Sequence, residues 1–198
     1  SKYNNGFFMM VEGGRIDHAC HANDPKGSIM DTLAFDDALK EAYEFYQAHP
    51  NETLIVVVGD HETGGMALGF GKNYFLKMNE LVDVKVSVDD TLQKIYTGDR
   101  TAFYQYIEKN MGLENLNEKE RAEIEKAMDI IDNGIDTTVY GGYNPVAIAV
   151  THVVSERANM YWTTYAHSGT AIPMSAIGCG AQAFGGYKDN TEIAKAMA

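Results

Sequence analysis

The chain has 198 residues, 28 acidic against 16 basic side chains and a formal net charge of -12. That length fits one domain or a large piece of one, and a hydrophobic content of 45% is too high for a disordered chain. The negative charge, with no Lys/Arg cluster to offset it, argues against nucleic acid as a partner and for cations, while the longest apolar runs, such as Phe7–Val11 and Leu54–Val58, are too short to span a bilayer.

Ser1 stands where an initiator Met would, and a strand-like run begins after six residues with no basic or apolar leader before it. The sequence therefore reads as a chain cut from something longer or otherwise processed. Phe7–Val11 predicts a short buried strand ending at Glu12-Gly13-Gly14, where glycines allow a tight turn. Ser28 and Asp31 form a capping-box-like pair for a helix in which Phe35, Leu39, Ala42 and Tyr46 recur at helical spacing, and His49-Pro50 ends it. Thr53–Val58 is β-branched and predicts a second strand, stopping at Gly59-Asp60-His61-Glu62-Thr63-Gly64-Gly65. This order predicts an α/β fold with a partial, mainly parallel sheet flanked by helices.

Residues 72–140 hold 23 of the 44 charged residues and no His, and read as a charged helical insertion. Within it, Asn117 and Glu120 predict a capped helix to Ile131, striped by Ile124, Met128 and Ile131. Asn144-Pro145 starts another helix reaching about Asn159, because Pro costs nothing at the first helical position. Met174–Ile177 predicts a last strand, and Asp189 with Glu192 caps a final helix. The expected organisation is a strand/helix core over 1–71, the insertion over 72–140, and the rest of the core over 141–198.

The histidines separate by context. His49 sits at a helix end, where a cation suits the dipole, and His152 lies inside a predicted helix, so neither is assigned chemistry. Asp17 and His21 are four apart directly after a strand end, in a segment with four potential carboxylate or imidazole ligands in eight residues. A helical turn there would place both on one face, close enough to hold one cation. Asp60 and His61 stand at the carboxyl end of a buried strand, where open α/β sheets place ligands and where a carboxylate needs a compensating partner. Glu12 repeats that situation, and His167, just before the last predicted strand, can reach the same edge.

Cys20 and Cys179 make neither a disulfide framework nor a closed thiolate zinc site. Gly178-Cys179-Gly180-Ala181-Gln182-Ala183 fits a dinucleotide fingerprint only formally, since too little chain follows for a βαβ unit, and Asn51-Glu52-Thr53 is a glycosylation sequon too short to weigh. Carboxylate and imidazole donors suit zinc or a similar ion in an open catalytic site, whereas Glu12, standing apart, suits magnesium. Several ligands imply more than one ion, and paired ions about 4 Å apart are the usual device for displacement at phosphorus. Hydrolysis of a phosphate ester is the leading reaction class.

Three blocks carry a resemblance. Phe8–Asn23, Val57–Gly65 and Tyr165–Pro173 are similar, in order, to the metal-binding segments of bacterial-type alkaline phosphatases, and the chain resembles the carboxyl-terminal half of such an enzyme. The resemblance implies two Zn2+ and one Mg2+, with Asp17, His21 and His167 on one zinc, Asp60 and His61 on the second, Glu12 on magnesium, and His18 auxiliary near the phosphate. It also implies a crown-like role for 72–140, a periplasmic or extracellular homodimer, and a phosphomonoester substrate released as inorganic phosphate. The family's nucleophilic Ser sits in an Asp-Ser-Ala motif, and no Asp-Ser pair occurs here. Nucleophile, phosphate-binding Arg and remaining ligands are thus expected in the amino-terminal half, and this chain alone is expected to be inactive. Another metal-dependent phosphatase, phosphomutase or phosphodiesterase of the wider superfamily, or a noncatalytic metal-binding fragment, also fits the ligand set.

Overall fold

A computed structural model describes residues 5–69 and 71–197; Ser1 lies outside them. After Glu12-Gly13 the chain forms α1 (Gly14–His21), and three residues later α2 (Pro25–Ala48). The turn between them is made by Asn23, which takes a positive φ of 49° that short polar side chains tolerate. Asp24, not Ser28, caps α2. Its carboxylate accepts the Gly27 N–H at 2.8 Å, Pro25 occupies the first helical position, and Ser28 lies buried inside the first turn, donating to the Pro25 carbonyl. A second oxygen of Asp24 accepts the Val88 N–H at 3.1 Å, so one buried carboxylate ties α2 to the segment before α3. Burial pushes this carboxyl above its ordinary range, and the backbone donors of Gly27 and Val88 oppose that shift.

The predicted strand Phe7–Val11 does not form. These residues make no regular element and are exposed, Phe8 at 81%; Phe7 meets the edge of the Phe45 ring, at 5.7 Å. A strand exists only where a neighbour pairs with its backbone, and none of the described strands pairs with this one.

β1 (Leu54–Val58) pairs with β6 (Met174–Gly178), β2 (Glu62–Thr63) with β5 (His167–Ser168), and β3 (Ala67–Leu68) with β4 (Met160–Tyr161). The mixed helix and strand class is as expected, but all three described ladders are antiparallel where a parallel sheet was predicted. The reason lies in the path of the chain. β1 runs towards the Asp60-His61 turn and β6 runs away from the His167 turn, so Val58 lies opposite Met174 and both turns emerge at one end. In a parallel pair the segment before one strand and the segment after the other would lie at opposite ends.

α3 (Arg100–Met111), α4 (Glu118–Asp132) and α5 (Pro145–Arg157) enclose the main core with residues 81–96, and α6 (Asn190–Met197) follows the last strand. α5 is apolar nearly all round and correspondingly buried, from Val146 to Val154, which marks it as the central helix. The charged stretch 72–140 supplies much of this core, through Leu81, Val88, Leu92, Phe103, Ile107, Ile124 and Met128, with its charges facing outward. The expected capping box of α4 is present: the Asn117 side chain accepts from Glu120 N, and Glu120 accepts from Asn117 N. Glu120 also takes a two-point bond from Arg157 of α5, at 2.7 and 2.8 Å, which holds its carboxyl below the usual carboxylate range.

A carboxyl held low in the folded state stabilises above its unfolded pKa and ceases to do so as pH falls through the folded value. Glu120→Gln should therefore destabilise the chain at pH 7 by about 1.5–3 kcal/mol, the range for a hydrogen bond to a charged group. In urea titrations the gap between variant and native should close as pH drops below about 4.

Candidate metal centre

α1 brings Asp17 and His21 onto one face, one turn apart, as their spacing required. β2 and β5 add the opposite wall. Their register places Thr63 across from His167 and Glu62 across from Ser168, and since successive side chains alternate, each pair shares one face of the ladder. The Thr63/His167 face meets α1. On the other face the Ser168 hydroxyl donates to Glu62, whose carboxylate also accepts the Gly65 N–H at 2.9 Å, fixing the turn after β2. Gly64 in that turn has φ 85°, and a Cβ there would lie 2.8 Å from the Cys20 carbonyl and 2.7 Å from the Trp162 ring. Only glycine lets the turn approach α1 so closely.

Asp17 is the centre of the group. Its Oδ2 lies 3.4 Å from His21 Nε2 and its Oδ1 3.8 Å from His167 Nε2, while Oδ1 accepts the Thr63 hydroxyl at 2.5 Å. The His21 Nδ1 stands 2.6 Å from the Tyr165 carbonyl oxygen. A carbonyl only accepts, so Nδ1 carries the proton and Nε2 faces Asp17 as a free donor. The His61 and His167 rings stack with centroids 3.5 Å apart, and His21 lies 5.0 Å from His167. One donor atom from each of Asp17, His61 and His167 falls within 4.8 Å of the others, close enough to surround one ion.

Asp60 joins at the margin: it is exposed, with Oδ2 3.5 Å from His61 Nε2. Glu12 is exposed on the segment before α1 and is not among the converging donors. His18, next to Asp17 in sequence, points elsewhere, with its Nδ1 3.4 Å from Asp89 and 3.5 Å from Arg15, because adjacent helix positions face about 100° apart. Arg15 in turn is held by Asp89 and Asp90. Among the described residues, Asp17 and Asp60 have no Lys or Arg within ion-pair distance. His152 is half-buried, bonded through Nε2 to Asn23 at 3.1 Å, and burial lowers its pKa, so it stays a neutral structural ring. Burial, helped by nearby acids, pushes the Cys20 thiol up to about 11, which leaves it protonated and no thiolate ligand at neutral pH. Two participants were not foreseen, Thr63 and the Tyr165 carbonyl. The only hint was the position of Thr63 two residues after His61, which in a strand puts both on one face.

A sequence profile of the family described as alkaline phosphatase matches residues 1–198. Alkaline phosphatase 3 of Bacillus subtilis (strain 168) is 31% identical over 198 residues, covering 98% of this chain and 40% of its own length. The repressible alkaline phosphatase of Saccharomyces cerevisiae is 32% identical over 197 residues, covering 88% of this chain and 32% of its own. Among solved structures, the cold-active alkaline phosphatase from the psychrophile Shewanella sp. superposes with a TM-score of 0.76 at 25% identity, covering 99% of this chain and 46% of that one. The chain thus spans less than half the length of these relatives.

In an NMR titration with Zn2+, the imidazole resonances of His21, His61 and His167 should shift together, ahead of the ring of His152, which is occupied by Asn23. Shifts confined to the exposed His18 and His49 would contradict the geometry.

Proposed function

Because the chain belongs to the alkaline phosphatase family, we propose that it carries the metal-binding face of a zinc- and magnesium-dependent phosphomonoester hydrolase. The observation that supports this reading most strongly is the approach of Asp17, His61 and His167, which are far apart in sequence, to within one ion's reach. The donor chemistry fits: imidazole nitrogens and carboxylate oxygens, with no thiolate. Asp17, His21 and His167 would hold one zinc and Asp60 and His61 a second beside it, with His61 close enough to reach the first ion's donors as well, and Glu12, which stands apart from the group, would hold the magnesium. Bound there, the ions would polarise phosphoryl oxygens and lower the pKa of an oxygen nucleophile.

The chain's own residues have distinct tasks. Asp17 and Asp60 supply the negative charge that draws cations, and the imidazoles supply neutral donors held in place by backbone and hydroxyl partners. His18, exposed and turned towards Asp89 and Arg15 in this structure, would act only as an auxiliary group near the phosphate, reached by rotating its side chain. The Ser nucleophile that would form the phosphoserine, together with the phosphate-binding Arg, would come from the portion of the family's length that this chain does not span. Exposed apolar residues support this, since Phe7–Val11, Val58 and Ile177 present a surface of the kind that a further part of the same enzyme would cover. No helix among the described residues is long and apolar enough to cross a membrane, and the family resemblance favours a periplasmic or extracellular homodimer acting on phosphate monoesters and releasing inorganic phosphate.

With p-nitrophenyl phosphate, Zn2+ and Mg2+, the 198 residues alone should show little or no turnover, and a full-length protein containing them should hydrolyse the ester in a zinc-dependent way. Robust turnover by the isolated chain would overturn the proposed division of labour. A full-length protein indifferent to zinc would overturn the metal assignment.

A further inference from the structure

We propose that Thr63 is a positioning residue whose single hydroxyl proton locks the Asp17 carboxylate and the His61 ring into one rigid donor pair. The proposal deepens the metal-site reading and rests on it for its consequence, although the hydrogen-bond relay itself stands on geometry. Thr63 is 7% exposed and sits in β2 directly opposite His167. Its Oγ1 lies 2.5 Å from Asp17 Oδ1 and 3.1 Å from His61 Nδ1.

A hydroxyl has one proton to give. A carboxylate only accepts, so that proton goes to Asp17, and the lone pairs of Oγ1 then face His61 Nδ1. An unprotonated Nδ1 there would set lone pair against lone pair. Both neighbours of the ring are acceptors, but only Thr63, at 3.1 Å, lies within hydrogen-bond range, while the exposed Asp60 carboxylate at 3.5 Å from Nε2 does not; the geometry therefore places the proton on Nδ1 and leaves the Nε2 lone pair as the donor to an ion. This is the arrangement the Tyr165 carbonyl enforces on His21, achieved with a hydroxyl. It differs in that Thr63 also holds Asp17. The same side chain thus fixes a ligand proposed for one ion and a ligand proposed for the other, and the orientation of each depends on the other.

Threonine suits the task. Its branched Cβ restricts χ1, so the hydroxyl direction is set by the strand with little entropy left to lose. Valine keeps that shape and removes the relay, whereas serine keeps the relay with a looser side chain.

The test compares the native chain, Thr63→Val and Thr63→Ser in two measurements. In the zinc-free chain, long-range 1H–15N correlation reads the His61 tautomer. Native and Thr63→Ser should show the Nδ1–H form, and Thr63→Val a mixture or the Nε2–H form. In competition with a chromophoric chelator, Thr63→Val should bind Zn2+ about 10–100-fold more weakly, the usual loss when the partner of a ligand is removed, and Thr63→Ser should recover most of that loss. Nε2–H in the native chain would overturn the proposal, and this reading needs no variant to fold. Zinc affinity unchanged in Thr63→Val would overturn it as well. A native chain that does not bind zinc would defeat the metal reading instead, and the tautomer would still decide the relay.

Discussion

The arrangement depends on one carboxylate with no basic partner. Asp17 stands on α1 with imidazoles at 3.4 and 3.8 Å and a hydroxyl at 2.5 Å, yet no Lys or Arg reaches it among the described residues. The nearest arginine in sequence, Arg15, is taken by Asp89 and Asp90. A partly buried anion ringed by imidazoles is left with negative charge to balance, which a divalent cation, on the reading proposed above, would supply.

The fold holds the group from two sides. On one side, the antiparallel β1–β6 pair brings the turn after β1 and the segment before β6 to the same end, and the two-residue β2–β5 ladder sets Thr63 against His167. On the other, the core helix α5 acts through His152, whose Nε2 bonds Asn23 and whose ring stacks on Tyr165. Asn23 then donates to the Cys20 and Thr164 carbonyls, and the carbonyl of Tyr165 orients His21. A buried helix, a half-buried histidine and one asparagine thus buttress a site that none of them enters. His152 is structural in this sense, consistent with its place inside a helix.

Sequence made local features legible. The four-residue spacing of Asp17 and His21 needed only a helical turn, the Asn117/Glu120 box needed only its own helix, and the strand near Leu54–Val58 was visible in its β-branched run. What depended on distant partners was not legible. Phe7–Val11 has the composition of a strand and finds no partner among the described strands. The parallel sheet was inferred from element order alone, whereas direction is set by where the long excursion through α3, α4 and α5 returns the chain. Ser28 looked like a cap although Asp24-Pro25 held the stronger local signal, an N-cap acid before a proline at the first helical position. Thr63 carried no signal beyond its spacing from His61, because a hydroxyl becomes informative only when its two partners, one of them 46 residues away, are known.

Imidazole rings brought from α1, β5 and the turn after β1 converge on Asp17, where we propose they act as donors to a cation. Zinc K-edge X-ray absorption of the loaded chain reads this directly. The expected spectrum has a nitrogen and oxygen shell at about 2.0–2.1 Å with the multiple-scattering signature of more than one imidazole. A sulfur shell near 2.3 Å, or an oxygen-only shell without imidazole scattering, would contradict it.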